Sequence, residues 1–215
     1  MEALATAPKK PRRRQSEIRA FRRDSLLRAA LEIVAEHDIE GATVARICAR
    51  AGASRGLISH YFKNKEELLV AALHGLFDEA QALKDAIAAD SSIDPIERIR
   101  RVAHSSFQAP IYCWEMAAAW QAFTNTSRYN SAYQAPIAES TQKSIATVVP
   151  LFEQTASKRI LRIDADQAAM GLFILIDGLW NSLATGKDGL QTEQAIAHCN
   201  IYIDGCLKQT LRHRV

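Results

Sequence analysis

The sequence predicts an all-α fold, and three observations support this. Only nine glycines and six prolines occur in 215 residues, too little turn material for a many-stranded β fold. Apolar side chains recur at helical spacing, as in Ile18, Phe21, Leu26, Ala29, Ala30, Ile33 and Val34. No segment alternates apolar and polar residues in the manner of a half-buried strand. Hydrophobic content of 48% with 24% charged residues is that of an ordinary globular chain.

Each element has its own signal. Residues 1–15, with "KKPRRR", are expected to form a disordered basic tail. A helix follows from about Ser16 to His37, and Gly41 ends the connection after it. Thr43 caps a short helix that turns Val44, Ile47 and Cys48 inward. "AGAS" breaks that helix, because Gly52 accepts the left-handed conformation of a tight turn and Ser54 caps what comes next. The third helix runs only to about Phe62. Asn64, with Glu67 as capping-box partner, then opens a long helix to about residue 89. Asp94-Pro95 with Glu97 supplies an N-cap, a proline at N1 and a capping-box glutamate. Further helices are expected at about 95–106, 110–126, 129–156 (interrupted by Pro136 and Pro150), 164–185 and 191–211. The division is a three-helix head over residues 16–65 and a larger helical body over 66–215.

The net charge of +3 conceals an asymmetry. Residues 1–65 carry 14 Lys and Arg against 7 Asp and Glu, whereas the remainder carries 13 against 17. A basic head on an acidic body points to a polyanion as the head's partner. Four scattered cysteines form no CxxC pair and read as reduced thiols, so no metal and no cofactor is expected. The basic N-terminus lacks an apolar run behind it, and "AAMGLFILI" is far too short to span a bilayer, so a cytoplasmic protein without membrane contact is expected. HExxH, P-loop and GxSxG motifs are all absent, which argues against an enzyme.

Two short helices joined by a glycine turn and flanked by longer ones describe a helix-turn-helix. Its second helix is too short to stand alone, so its neighbours must hold it and leave its outer face free for a major groove. Arg55, Leu57, Ser59, His60 and Tyr61 fall on that face. Arg55 can fork onto guanine or phosphate, Ser59 and His60 reach base edges or phosphates, and Leu57 meets a thymine methyl. Lys65, opening the next helix, suits a phosphate. Phe62 is expected to pack inside the head.

These residues carry a resemblance. "TVARICARAGASRGLISHYFKNKEELL", with Gly41-Ala42-Thr43 before the second helix and the HYFxxKExL junction, resembles the head of the TetR family of bacterial one-component repressors. The resemblance implies a homodimer on a palindromic double-stranded DNA operator, with an effector pocket in each body. It places Thr43, Arg46, Ser54, Arg55, Gly56, Leu57, Ser59, His60, Tyr61 and Lys65 at DNA-facing positions. "AAAWQAF" and "LIDGLWNSLATGK" further resemble a choline-responsive branch of that family controlling glycine-betaine synthesis. Thr124 and Asn181-Ser182 depart from that branch, which leaves another amine, an antibiotic or an acyl compound as alternative effectors.

In the body, Trp114, Glu115, Trp120, Phe123, Tyr133, Asp177, Trp180 and Asn181 are the candidate effector residues. Aromatic faces beside a carboxylate suit a quaternary ammonium. Asp177, inside the most apolar helix, needs a cationic partner, either a protein arginine such as Arg128 or the ligand itself. The last two helices read as a dimer seam, with Gly171 and Gly178 forming a small-residue lane and Ile196, Cys199, Ile203 and Cys206 a stripe.

Overall fold

The computed structural model describes residues 11–185 and 189–208. Among these, nine helices follow one another: α1 (Pro11–Gly41), α2 (Val44–Ala51), α3 (Arg55–Tyr61), α4 (Lys65–Ala89), α5 (Pro95–Ser105), α6 (Trp114–Ser127), α7 (Ser131–Ala156), α8 (Ala165–Ala184) and α9 (Thr192–Gly205). The only β feature among the described residues is an isolated antiparallel bridge between Leu161 and Leu207. The all-α class is as the sequence predicts.

The caps sit where the side chains demand them. Thr43, Ser54, Asn64 and Asp94 each accept a backbone N–H from the first turn of α2, α3, α4 and α5. Gly52 closes α2 at φ 60°, the left-handed region that disfavours any side chain with a Cβ. The capping box at α4 is displaced by one residue: Glu67 accepts from the N–H of Lys63, at 2.7 Å, rather than from that of Asn64.

Three expectations need correction. Of the basic tail expected over residues 1–15, residues 1–10 lie outside the described residues, and 11–15 belong to α1. Ile18 and Phe21 stay exposed, and the buried face of α1 begins only at Leu26. Pro136 and Pro150 do not interrupt α7, which is one helix of 26 residues. Each proline removes one ladder bond, and the packing of Tyr133, Val148, Leu151 and Phe152 holds the helix through them.

Two apolar cores result. The head's core gathers Leu26, Ala30, Val34, Ile47, Ile58 and Phe62 with Leu68, Leu69 and Leu73 from α4, and it is completed by Ala119, Phe123 and Tyr133. The body's core joins α5 to α9 through Ile99, Phe107, Phe152, Leu172, Trp180 and Ile203. α6 lies between them, with Met116 packed against both.

Candidate DNA interface and effector cavity

α3 has one buried position, Ile58, which with Phe62 anchors it to the head. Arg55, Gly56, Ser59 and His60 are exposed, as are Thr43, Arg46 and Ser54. Some of these groups are already partly engaged. Arg46 donates to the carbonyl of Gly41 at 2.7 Å, and Ser59 Oγ to that of Arg55 at 3.2 Å. Leu57 is half-buried against the head's core. Tyr61 is also half-buried; its hydroxyl donates to the Arg19 carbonyl at 3.4 Å and its ring stands edge-on to His60.

Lys65 departs most from expectation. Its ammonium donates to the carbonyl of Ile39 at 2.9 Å and so ties the start of α4 to the end of α1. Lys63, exposed between α3 and α4 one residue beyond the capping Phe62, is a further cation beside α3. Arg50 binds α2 to α1 by donating to Glu32 at 2.9 Å and Glu36 at 2.7 Å, which lowers the pKa of Glu36.

The body holds a cavity between α4, α6, α7 and α8. Of the eight residues expected there, Trp120, Asp177 and Trp180 line it. Trp120 Nε1 donates to Asp177 Oδ1 at 2.8 Å, and its ring meets Phe77 edge-on with centroids 5.6 Å apart. Trp180 Nε1 donates to the Ser106 carbonyl at 2.7 Å. The partner of Asp177 is therefore an indole N–H, while Arg128 is exposed at the end of α6.

The other five are elsewhere. Phe123 and Tyr133 are buried in the head's core, with ring centroids 5.2 Å apart. Trp114 is exposed at the first turn of α6. Glu115 faces a separate cavity beside Arg28, Glu32 and Arg50. Asn181 donates back along α8 to the Asp177 carbonyl. Sequence reasoning missed Phe77, Lys84, Ser140 and Ser144 on the cavity wall. The spacing of Phe77, Ala80, Lys84 and Ile87 carried the signal, a lysine set into an apolar stripe. Burial draws the Lys84 pKa down to about 8.

The proposed seam also changes. Cys199, Ile203 and Cys206 are buried in the body's own core, with Ile196 packed against it. At Gly171 an added Cβ would fall 2.0 Å from Tyr202 Oη, so this glycine admits a ring of its own α9. The Tyr202 hydroxyl donates to the Ala168 carbonyl there at 3.1 Å. Nothing lies within 4 Å of a Cβ at Gly178, and Met170, Ile174 and Ile201 are exposed. Among the described residues no helix is long and apolar enough to cross a membrane, and no group of three or more His, Cys, Asp or Glu could hold a metal ion.

Comparison with known proteins fits this geometry. Residues 26–72 match the bacterial regulatory proteins of the tetR family, and residues 95–208 match the C-terminal region of the BetI-type transcriptional repressors. The chain is 30% identical over 190 residues to the HTH-type transcriptional regulator BetI of Burkholderia mallei (strain NCTC 10229), covering 88% of this chain and 95% of that one. It is 32% identical over 188 residues to BetI of Paraburkholderia phytofirmans, covering 87% and 94%. A transcriptional regulator from Pseudomonas aeruginosa PAO1 superposes with TM-score 0.75 at 27% identity over 86% of this chain and 90% of its own. A regulator from Saccharomonospora viridis, solved in complex with choline, shares the fold with TM-score 0.78 at 22% identity over 88% and 100%. The chain thus belongs to the TetR family of bacterial transcriptional regulators and, within it, to the BetI type.

Proposed function

We propose that this protein is a cytoplasmic homodimeric repressor that reads a palindromic operator through α3 and releases it when a small molecule fills the cavity of the body. The observation that carries this reading is the exposure pattern of α3: Ile58 is buried, whereas Arg55, Ser59 and His60 are exposed. A two-fold dimer would bring two such helices to half-sites one DNA turn apart, roughly 34–36 Å. The apolar Met170, Ile174 and Ile201 with the open Gly178 support α8 and α9 as the seam. α4 begins beside α3 and carries Phe77 and Lys84 into the cavity, which makes it the natural lever. A hundredfold loss of operator affinity requires the effector to favour one state by about 2.7 kcal/mol.

Fluorescence anisotropy with the DNA flanking the protein's own gene, at fixed salt, tests the DNA half. Arg55→Ala and His60→Ala are each expected to lose roughly 5- to 150-fold in operator affinity, the range of one base contact of about 1–3 kcal/mol. Deleting residues 1–14 should weaken operator and random DNA alike. Equal binding of operator and random DNA by the intact protein would sink the groove-reading helix.

Gly56→Ala separates folding from recognition at one position. A Cβ there would meet only Ser54 Oγ, at an ordinary 3.8 Å. Alanine in place of a helical glycine stabilises by about 1 kcal/mol, or roughly 2–4 °C in Tm. Because the methyl would occupy the outer face of α3, operator affinity is expected to fall while Tm rises. A rise in both would remove Gly56 from the interface.

Choline is the first effector to try, since Phe77, Trp120 and Trp180 offer ring faces and Asp177 a carboxylate. The lysine in the same cavity favours a different ligand.

A further inference from the structure

Two opposite charges line the body cavity without meeting. Asp177 lies beneath the Phe77–Trp120 pair, with Oδ1 accepting from Trp120. Lys84 enters from α4 seven residues beyond Phe77, or about 10 Å along the helix at 1.5 Å per residue. Its one hydrogen bond among the described residues is a long one, to Ser144 Oγ at 3.4 Å. Asp85, the next residue, faces outward and accepts from Gln81 and Thr147. Neither Asp177 nor any other described carboxylate comes within ion-pair distance of Lys84. On α7, Ser140 and Ser144 add hydroxyls to the wall, whereas Lys143 is exposed and paired with Glu139.

A half-buried ammonium with no carboxylate in ion-pair reach, the neighbouring Asp85 being engaged by Gln81 and Thr147, is costly, and a ligand anion would relieve that cost. A ligand with only a positive charge would leave Lys84 unrelieved and add a second cation to the same low-dielectric space. We infer that this cavity takes a compact zwitterion, with its alkylammonium against Asp177 and the rings of Phe77, Trp120 and Trp180, and its carboxylate on Lys84 and Ser144. The inference rests on reading the body as an effector domain, and it names the ligand class.

Trp120 and Trp180 make intrinsic fluorescence a direct readout of occupancy, with titration calorimetry to give Kd. The probes are choline, trimethylammonium carboxylates with one to three methylenes between the charges, and alkyl carboxylates of matched length. Full-length protein, Lys84→Met and Asp177→Asn are compared. At least one zwitterion should bind the parent tenfold or more tightly than choline and than its matched carboxylate. Lys84→Met should lose that advantage while keeping choline binding, and Asp177→Asn should weaken every trimethylammonium ligand. Choline binding as tightly as all the zwitterions, an advantage that survives Lys84→Met, or silence from the whole panel would each overturn the inference. Anisotropy on the same preparations keeps the two readings apart. A zwitterion that fills the cavity but leaves operator affinity unchanged would refute the effector role and leave the ligand class standing.

Thermal melts check the premise in the absence of ligand. The folded-state pKa of Lys84, about 8, lies below its ordinary 10.5, so the unfolded chain holds the proton more firmly between those values. The cost of burial is therefore complete below about pH 8 and fades as the pH rises through that window. The titratable groups nearest Lys84 are Asp85, beside it on α4, and Asp177 on the wall of the same cavity. Lys84→Met should melt above the parent at pH 7, and the two should converge near pH 10.5. A lower Tm for the variant at pH 7 would mean that the ammonium is already satisfied, and the inference would fall.

Discussion

Phe123→Ala is expected to cost about 3–5 kcal/mol, the range for emptying a buried aromatic site. The ring is fully buried, stands edge-on to Tyr133 with centroids 5.2 Å apart, and closes the head's core from the side of α6. No solvent reaches the site, and α1, α4 and α6 cannot collapse far into the void without disturbing Leu26, Leu69 and Leu73, which share the core. A loss of that size lowers Tm by roughly 10 °C in a chain of this length. Because Phe123 does not line the effector cavity, ligand affinity measured well below the transition should stay near that of the parent. Chemical denaturation followed by a ligand titration checks both halves. Unchanged stability with lost ligand binding would return Phe123 to the cavity wall.

Arg98→Ala should be the most damaging change among the charged residues, at about 3 kcal/mol. Arg98 is 6% exposed, and no carboxylate among the described residues lies within ion-pair distance of its guanidinium, Asp90 being close enough only to feel its charge. It donates to the Ala88 carbonyl and to Gln154 Oε1, each at 2.7 Å, and its Nε has no partner among the described residues. The cation thus sits on the C-terminal turn of α4, where the helix dipole favours it, and clasps α4, α5 and α7 together. Alanine removes both hydrogen bonds, to a half-buried carbonyl and an exposed amide, and leaves a void where the buried stem lay. Arg98→Met keeps the stem and removes a buried charge that has no direct ion-pair partner, so it should lose only about 1 kcal/mol. Urea midpoints for the two variants decide. Equal losses would assign the whole effect to the hydrogen bonds.

The caps were the most legible part of the sequence, because a cap is a local event. Thr43, Ser54, Asn64 and Asp94 each act within three residues of themselves, and all four sit where their side chains indicate. The cavity was legible only in part. Trp120 and Phe123 lie three residues apart on α6, yet one faces the cavity and the other the head. Periodicity identifies an apolar face but not its neighbour, and α6 has neighbours on two sides. Lys84 escaped notice because a lone lysine ordinarily reads as a solvated charge; only the stripe of Phe77, Ala80 and Ile87 around it says otherwise. Cys199, Ile203 and Cys206 form a stripe as expected, but a stripe cannot say whether the surface covering it belongs to the same chain.

The position of α6 between the two cores bears on how this chain can be rearranged. The head borrows Ala119, Phe123 and Tyr133 from segments more than fifty residues downstream of α3, so residues 16–65 do not contain their own interior. A chimaera that moves this head onto another regulator's effector half would uncover the face of α1 that packs on α6 unless the recipient supplied a matching helix in its place. Reading specificity and sensing specificity are therefore not freely interchangeable parts here. They can be recombined only with α6 carried along, and with it the Trp120 side of the cavity.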